Sequence, residues 1–421
     1  MTPELTDFLA EHADLTRRFF LRCGAAGVTA LGVQPMIAQG AQRDPALQKA
    51  LASLETWLTK PDDFRDVSRG NPKPHSFDMA KRKEVGLTRD TWKLEVIDDP
   101  KNKVRLRKPL TKKNNTAFTF DDLMKLAGKH AVRFPKVMTC LNIGCPLGNG
   151  IWEGVPLRKV LWLARPSKAL RRVFYYGYHN NDPKQMFRSS LSVGRVLEDL
   201  YGLPPVILCY KLNGQWLTPE RGAPVRIVVP EAYGFKNIKW LSHLVLSGTW
   251  KSNDTYGEHK NDVDSPLKTF CDPLSIPRTV KPKQPIAVTG YAQVGISGLK
   301  KVQVWIHNDA KKLPSDDKYF TKAPWRDAEI LPSPKSWGGD IADNRIPSPT
   351  YGFDPKTNQP KTWPMRLTKA HWAALLPGLP AGKYTFRCRT IDENNIAQPM
   401  PRPFRTSGRA AIGQTSLTVK G

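Results

Sequence analysis

The sequence has little cysteine for its length and lacks the cysteine spacings of common metal and redox sites. Six cysteines are spread over 421 residues, and none forms a C-x-x-C or C-x-x-C-H motif. A disulfide scaffold, a zinc ribbon, a thioredoxin-type redox pair and a covalently attached c-type haem are therefore excluded. The chain also has no uninterrupted apolar run of about 18 residues, which argues against an integral membrane protein.

Acidic residues are scarce relative to basic ones. The chain has 65 Lys and Arg against 38 Asp and Glu, a formal net charge of +27. The densest basic run, Lys101 to Lys113, contains no aromatic residue that could stack on a base, so we expect an exposed loop and no nucleic-acid partner. An anionic surface, a small anionic substrate, an acidic partner and a merely solvated basic surface all remain compatible with the charge.

Several motifs that identify common enzyme classes are missing. The sequence contains no G-x-x-x-x-G-K-[ST], no H-E-x-x-H, no G-x-S-x-G and no G-x-G-x-x-G that opens a helix after a strand. The eight histidines are scattered without the spacing of metal ligands. The chemistry must therefore be inferred from residues that lie far apart in the sequence.

The amino terminus has the three regions of an export signal. Arg17 and Arg18 in TRRFFLR precede a Gly/Ala-rich apolar stretch, which ends at the small-x-small sequence Ala38-Gln39-Gly40. This order resembles a twin-arginine signal, which implies export to the periplasm, usually of a chain folded around a cofactor. Removal of residues 1–40 would also remove Cys23. A short amphipathic helix with a chance Arg-Arg pair is the alternative.

Periodicity and turn residues predict an α+β chain. Residues 41–68 read as a helix with a polar end, Arg69 to His75 as a shaped loop, and TWKLEVI as a strand. The segment around FTFDDLMKLAGKH reads as a strand end, an Asp cap and a helix, and the chain after Cys140 as an irregular loop that leads into a helix. Strands are expected in RRVFYYGY, PPVILCYKLNG and on both sides of a Gly-containing turn in PVRIVVPEAYGFKNIKWLSHLVL.

The amino-acid composition changes near residue 272. The proline-rich DPLSIPRTVKPKQ predicts a linker, and the alternating segments beyond it fit a seven-strand-like β-sandwich. Residues 311–365 are polar and proline-rich, which predicts an insertion or long loops. The resulting domains are 1–40 (signal), 41–84 (helical and loop extension), 85–271 (catalytic domain), 272–283 (linker) and 284–421 (β-sandwich).

Cys140 is the first candidate for chemistry. It stands at a predicted strand end, upstream of the basic residues Arg221, Arg226 and Lys239. A thiolate binds soft metals, and separated basic side chains can hold a phosphate or an anionic substrate. A buried cysteine more often packs as a small apolar residue, so the residues alone leave both interpretations open.

Three segments resemble, in this order, the sulfite oxidase family of molybdopterin enzymes. They are MTC with GNGIWEGVPLRKVL, then FRSSLSVGRVLED, then LCYKLNGQWLTPERGAPVRIVVPEAYGFKNIKWL. The carboxyl-terminal TGYAQVGISGLKKVQVWIHND and GKYTFRCRTIDENNIAQP resemble the family's Ig-like dimerisation domain. The resemblance implies a sulfite oxidase-type molybdopterin-binding domain followed by an Ig-like β-sandwich, with a homodimer formed through the latter.

The resemblance also implies a set of site residues. Cys140 would be the thiolate ligand of molybdenum beside two dithiolene sulfurs, and Tyr256 an active-site phenol. Residues that would hold the molybdenum-molybdopterin cofactor are Arg69, Asn71, His75, His179, Asn180, Arg221, Arg226 and Lys239. Arg221 stands where the family has a histidine. Cys145 would be a neighbour of the metal site or simply a packed side chain.

The resemblance implies oxygen-atom transfer on a sulfur oxyanion, and we expect oxidation of sulfite to sulfate. Relatives that oxidise sulfite carry an arginine just after the molybdenum cysteine, whereas LNIGCP follows Cys140 here. S-oxide reduction, of the methionine sulfoxide type, and a sulfane dehydrogenase role are therefore alternatives, and a cofactor-free binding protein for anionic ligands is a second one. We expect no haem domain in this sequence, so electrons would pass to a separate c-type cytochrome or another carrier.

Overall fold

The computed structural model describes residues 44–313, 315–398, 408 and 411–421. The predicted twin-arginine signal and Cys23 lie outside these residues. The described chain divides into two compact units, one formed by residues 56–266 and 335–361 and the other by residues 44–55, 267–334 and 362–421. The first unit contains every candidate site residue. The units divide at 55/56 and 266/267, whereas the predicted limits are 84/85 and 271/272. Residues 335–361, predicted to lie in the β-sandwich, belong to the first unit.

The helices are short and begin at polar or proline caps. They are α1 (Pro45–Ala52), α2 (Met79–Glu84), α3 (Phe120–His130), α4 (Leu157–Leu161), α5 (Val193–Leu197) and α6 (Thr255–Glu258). Short 3₁₀ turns lie at Pro74–Ser76, Trp162–Ala164, Pro219–Arg221, Gly234–Lys236 and Ala342–Asn344. The cap of α3 is Thr119 and not the predicted aspartate, since Thr119 and Asp122 bond each other's backbone N–H in a capping box.

The helix predicted for residues 41–68 ends after two turns. Beyond Ala52 the chain turns, and Trp57 and Leu58 become fully buried. The Leu58 amide donates to the Trp337 carbonyl at 2.8 Å, and the rings of Trp57 and Trp337 are 5.3 Å apart. Tertiary contacts with residues nearly 280 positions away thus override the local helical periodicity.

The first unit is built on two five-stranded sheets. Its strands are β1 (Lys93–Asp98), β2 (Phe118–Thr119), β3 (Val132–Cys140), β4 (Cys145–Pro156), β5 (Arg172–Gly177), β6 (Arg188–Ser192), β7 (Ile207–Leu212), β8 (Gln215–Trp216), β9 (Arg226–Val228) and β10 (Leu241–Ser247). One sheet has the order β2-β1-β10-β5-β6, in which β1 and β10 are parallel; the other has the order β3-β4-β7-β8, with β9 on β7.

Strand β4 occupies the segment that was expected to be an irregular loop. It pairs with β3 through a hairpin and with β7 on its other side, so it is a central strand. Its last ten residues are buried, and a Cβ at Gly154 would clash with the Leu208 carbonyl. The glycines therefore permit close strand approach, and only a four-residue turn remains between Cys140 and Cys145.

The second unit is rich in β-structure. Its strands are β11 (Phe270–Ser275), β12 (Thr279–Val280), β13 (Ile286–Gln293), β14 (Lys301–Asn308), β15 (Arg326–Ile330), β16 (Lys369–Leu376), β17 (Gly382–Ile391) and β18 (Gly413–Val419). They follow the continuous order β11-β13-β16-β15-β14-β17-β18-β12, which curls around a core containing Trp372 and Phe386. The Ig-like assignment stays a prediction.

Residues 272–283 are not a linker in the structure. They include most of β11 and all of β12, and β11 pairs with β13 while β12 pairs with β18. Proline fits here because these strands lie at the two ends of the strand order, where unpaired N–H positions occur. In the segment 311–365, β15 is a strand that joins β14 to β16. Within the described residues, no helix combines the length and the apolar composition needed to cross a membrane.

Candidate functional site

A cavity of about 310 Å³ in the first unit opens beside the tip of the β3–β4 hairpin. Cys140 ends β3 and lines this cavity, followed by Leu141, Asn142 and Ile143 of the turn. The Gly144 amide donates to the Cys140 carbonyl at 2.9 Å, which closes the turn. The sheet thus presents a partly exposed thiol at the wall of a cavity, where it can reach a bound group.

Two arginines line the same cavity: Arg221, in the 3₁₀ turn after β8, and Arg226, at the start of β9. Arg226 begins β9 and is buried; its two terminal nitrogens donate to the carbonyls of Arg221 and Asn237 at 2.8 Å each. Burial lowers the pKa of Arg226 to about 10, and it lowers the pKa of Arg221 as well. Arg226 remains cationic near neutral pH, because even its lowered pKa lies well above 7.

Lys239 is the third cation in the cavity. Its Nζ donates to Ser68 Oγ at 2.6 Å and to Asp66 Oδ1 at 3.1 Å. Burial and the charge of Arg226 lower the pKa of Lys239 to about 7. Gly222, with a φ of +100°, lets the lysine backbone approach, since a Cβ there would lie 3.0 Å from Lys239 Cα.

Asp66 offsets part of this positive charge. Burial alone would raise its pKa, but hydrogen bonding from Ser68 and the charge of Lys239 hold the pKa of this carboxyl well below its usual range. Asp66 also receives a bond from Lys73 Nζ at 2.9 Å. A single carboxylate therefore faces two lysines, and the cavity keeps a net positive charge.

Unpaired donors identify where an anion would bind. The Nε atoms of Arg221 and Arg226 are buried and have no hydrogen-bond partner among the described residues. A buried donor without a partner costs about 1–3 kcal/mol, more for a charged group. An anionic ligand with several oxygen acceptors, such as a phosphate, would supply these missing bonds.

The loop between β9 and β10, which carries Lys239, is held by hydrogen bonds from buried side chains to its backbone. The buried Lys136 donates from Nζ to the carbonyls of Pro230 and Ala232 at 2.9 and 2.7 Å. Asn237 Oδ1 accepts from the Val229 amide at 2.8 Å, and its Nδ2 donates to the Tyr233 carbonyl at 2.7 Å. These bonds hold the loop in position independently of any ligand.

Tyr256 lies on α6 and lines the same cavity as Cys140. Its hydroxyl oxygen accepts from Asn142 Nδ2 at 2.9 Å, and its ring stacks on Phe235 at 4.8 Å. Burial and the neighbouring Cys140 raise the pKa of Tyr256, so the phenol stays protonated at neutral pH. It can donate a hydrogen bond to a ligand oxygen beside Cys140.

His179 also reaches the cavity. Its Nδ1 lies 2.9 Å from the Gly177 carbonyl, which can only accept, so Nδ1 carries the proton and Nε2 is the acceptor. Burial lowers the pKa of His179, which keeps the imidazole neutral. The side chain can therefore accept a hydrogen bond from a bound ligand.

The structure brings together seven of the ten predicted site residues: Arg69, Cys140, His179, Arg221, Arg226, Lys239 and Tyr256 line the cavity. Asn71, His75 and Asn180 are not among its lining residues. Asn180 Nδ2 donates to the Pro72 carbonyl and to Gln185 Oε1, and Gln185 Oε1 also accepts from the Asn71 amide. Asn71 and Asn180 thus join two loops, and His75 contacts Asp66 at 4.0 Å and the Trp240 ring.

Sequence reasoning missed the contribution of residues 64–68. Phe64, Arg65 and Ser68 line the cavity, and Asp66 binds Lys239. The sequence pattern favours the polar end of a helix here, because the residues that this segment contacts at the cavity, Cys145 and Lys239, are 80 to 173 positions away and no local spacing identifies them. Arg65 Nη1, for example, donates to Cys145 Sγ at 3.4 Å.

Comparisons with known proteins agree with this geometry. Residues 85–255 match the family described as "Oxidoreductase molybdopterin binding domain". The chain is 29% identical over 117 residues to a nitrate reductase [NADPH] from Beauveria bassiana, which covers 28% of this chain and 12% of the relative. It is 24% identical over 228 residues to the mitochondrial sulfite oxidase of Drosophila melanogaster, covering 48% of this chain and 37% of that protein. The chain therefore spans well under half of these relatives.

A solved structure has a similar fold. The sulfane dehydrogenase SoxCD from Paracoccus pantotrophus matches with a TM-score of 0.51 and 16% identity, over 80% of this chain and 79% of that one. At this identity the match speaks for the fold alone. The family match implies a molybdenum-molybdopterin cofactor. The cavity fits such a group, since it offers one thiol and two unpaired arginine donors to a ligand that carries a metal and a phosphate.

Anion binding should couple to protonation of Lys239. Because the pKa of Lys239 is about 7, an anion that favours its charged form should bind with uptake of about half a proton at pH 7. Uptake should fall toward zero at pH 6, and affinity should weaken as the pH rises above 7. Calorimetric titration of the cofactor-free chain with sulfate, which does not itself titrate in this range, in buffers of different ionisation enthalpy measures the uptake.

The matched control is Lys239→Arg. Arginine stays charged, so this variant should bind sulfate without the proton uptake near pH 7. Equal uptake by the variant and the parent chain would contradict the assignment of the titrating group to Lys239.

Proposed function

The chain is a molybdopterin oxidoreductase of the sulfite oxidase family, and from this premise we propose that it oxidises sulfite to sulfate and passes the electrons to a separate carrier. When bound, the cofactor supplies the oxygen-atom transfer and the redox change. The overall reaction takes one oxygen atom from water and releases two protons and two electrons. The chain contributes ligation, orientation and a positive field.

The observation that carries the proposal is the position of Cys140 in a cavity with three cations. Cys140 would bind the metal as a thiolate, while Arg221, Arg226 and Lys239 would hold the anionic pterin through charge-assisted hydrogen bonds. Such bonds are worth about 1.5–3 kcal/mol each. His179 Nε2 would accept a bond from the same ligand. These roles support cofactor binding and leave the Cys140 side of the cavity for substrate.

Two further arginines favour an anionic substrate on that side. Arg65 and Arg69 line the cavity and are exposed, and neither forms an ion pair with a carboxylate among the described residues. The guanidinium of Arg69 lies 4.3 Å from the centre of the Phe187 ring, and Phe187 packs against Tyr256. Arg65 donates to Cys145 at the hairpin tip. These cations supply the charge that the loop after Cys140 lacks.

Tyr256 completes the proposed substrate site. As a protonated phenol next to Cys140, it can donate to an oxygen of the bound oxyanion, and Asn142 fixes its hydroxyl. Arg65 and Arg69 would neutralise the charge of the substrate, and Phe187 and Phe235 would keep water from one side of it. These groups would orient the anion by charge and hydrogen bonds, and no residue of the chain would need to move a proton.

The substrate proposal is tested by assaying the purified holoenzyme with three substrate classes. Sulfite oxidation with ferricyanide as acceptor should exceed both S-oxide reduction and nitrate reduction with a low-potential donor. Faster turnover of an S-oxide or of nitrate would overturn the proposal and favour the corresponding alternative. Faster oxidation of a sulfane sulfur substrate than of sulfite would favour the sulfane dehydrogenase role.

Loss of one anion-binding arginine should act mainly on kcat/KM. Arg65→Met should lower kcat/KM for sulfite by about 10- to 100-fold, the cost of a charge-assisted hydrogen bond to the anion. Arg89→Met removes one exposed cation that does not line the cavity, and should change kcat/KM little. Equal losses in the two variants would mean that only the overall charge matters.

The carrier is proposed to be an acidic protein, of the c-type cytochrome kind. The basic run 101–113 lies beside residues 164–167, since the Arg107, Lys108 and Ser167 amides bond across the two segments. The cations of this face form no ion pair among the described residues; they are Lys101, Lys103, Arg105, Arg107, Lys108, Arg165, Lys168 and Arg171. Rates with an acidic cytochrome should fall steeply with salt, whereas salt-independent rates would contradict this partner.

Export and assembly are also part of the proposal. The Arg17-Arg18 pair supports twin-arginine export to the periplasm, and the resemblance of the second unit to an Ig-like domain supports a homodimer. Cell fractionation of an Arg17→Lys, Arg18→Lys double variant should find the chain retained in the cytoplasm.

Sedimentation of the parent protein as a monomer at micromolar concentration would contradict the dimer.

A further inference from the structure

The β3–β4 hairpin places a second thiol directly opposite the proposed metal ligand. Cys140 and Cys145 are register partners at the closed end of the hairpin. They are also partly exposed, whereas Cys209, Cys271 and Cys388, the other cysteines of the described chain, are buried. The structure thus holds two accessible thiols across one four-residue turn.

The spacing of such partners suits a disulfide. Opposed residues in antiparallel strands have Cα atoms about 4.5–5.5 Å apart, which lies inside the range of about 4.4–6.8 Å over which disulfides form. Gly144 has a φ of +64°, a turn conformation that glycine adopts without strain. Cys145 Sγ is held near the cavity mouth by Arg65, which lines the cavity. The register therefore places the two cysteines within the Cα spacing that a disulfide requires.

We propose that Cys140 and Cys145 form a reversible disulfide when the cofactor is absent, and that this oxidation blocks cofactor loading. The consequence for loading rests on the proposed role of Cys140 as the metal ligand. A disulfide oxidant such as oxidised glutathione accepts the two electrons. The thiolate of Cys140 or Cys145 displaces one glutathione thiolate, and the partner cysteine then displaces the second, so one S–S bond forms and one breaks.

The state of the cofactor decides which chemistry Cys145 can do. In the loaded protein the metal would occupy the sulfur of Cys140, so Cys145 would have no partner thiol and could form only a mixed disulfide with glutathione. In the cofactor-free protein both sulfurs are available. Cys145 therefore acts as a resolving thiol that protects Cys140 from further oxidation until loading.

The test uses the full chain purified from cells that cannot make molybdopterin. After treatment with oxidised glutathione, peptide mass spectrometry should find a link between the peptides that contain Cys140 and Cys145. The Cys145→Ser chain should instead accumulate glutathione on Cys140, and the loaded parent chain should accumulate it on Cys145. Two free thiols at these positions in the oxidised cofactor-free chain would overturn the proposal.

Loading gives a second readout that does not use substrate. The oxidised cofactor-free chain should take up no molybdenum from the free cofactor, and a dithiol reductant should restore about one metal per chain. Cys145→Ser under reducing conditions should load like the parent chain, which shows that the variant folds. Full loading of the oxidised parent chain would contradict the block, whatever substrate the enzyme turns over.

Discussion

Three basic residues, Arg221, Arg226 and Lys239, line one cavity whose described lining contains no carboxylate, and the rest of the site depends on this imbalance. Burial lowers the pKa of Arg226 to about 10 and that of Lys239 to about 7, which expresses how unfavourable the charged forms are without a ligand. The Nε atoms of Arg221 and Arg226 are also buried without a hydrogen-bond partner among the described residues. A phosphate-bearing cofactor would offset the positive charge and pair the two Nε donors. The hydrogen bonds of Lys136 and Asn237 hold the loop that carries Lys239 without a cofactor.

Cys140, Arg226 and Lys239 could be predicted because they stand in ordered motifs that resemble a known family. Arg65, Asp66 and Ser68 could not, since their contacts with Cys145 and Lys239 join positions 80 to 173 residues apart. The same limit explains the misassigned elements. The helix from residue 41 ends early because Trp57 and Leu58 pack elsewhere, and the apparent linker 272–283 pairs with strands that come later in the chain. The resemblance predicts Asn71 and Asn180 at the cofactor; in the structure their hydrogen bonds hold two loops together, and a role at the cofactor stays a prediction.

The positive charge on the Cys140 side of the cavity comes from residues 65–69 and not from the hairpin tip. The turn after Cys140 carries no basic residue, and Arg65 and Arg69 bring positive charge to the same side from another part of the chain. Cys145, opposite Cys140 and bonded to Arg65, ties these two features to each other. The proposed substrate binding, metal ligation and thiol chemistry would therefore be concentrated in a few residues at the tip of the β3–β4 hairpin.

The central claim is that Cys140 is the protein ligand of molybdenum in this cavity. X-ray absorption at the molybdenum edge counts sulfur ligands directly, and the account predicts three in the purified protein, from two dithiolene sulfurs and Cys140. Cys140→Ser should leave two sulfur ligands, and Cys145→Ser should keep three. A protein purified without molybdenum, or one that loses a sulfur ligand on replacement of Cys145 but not of Cys140, would contradict the account.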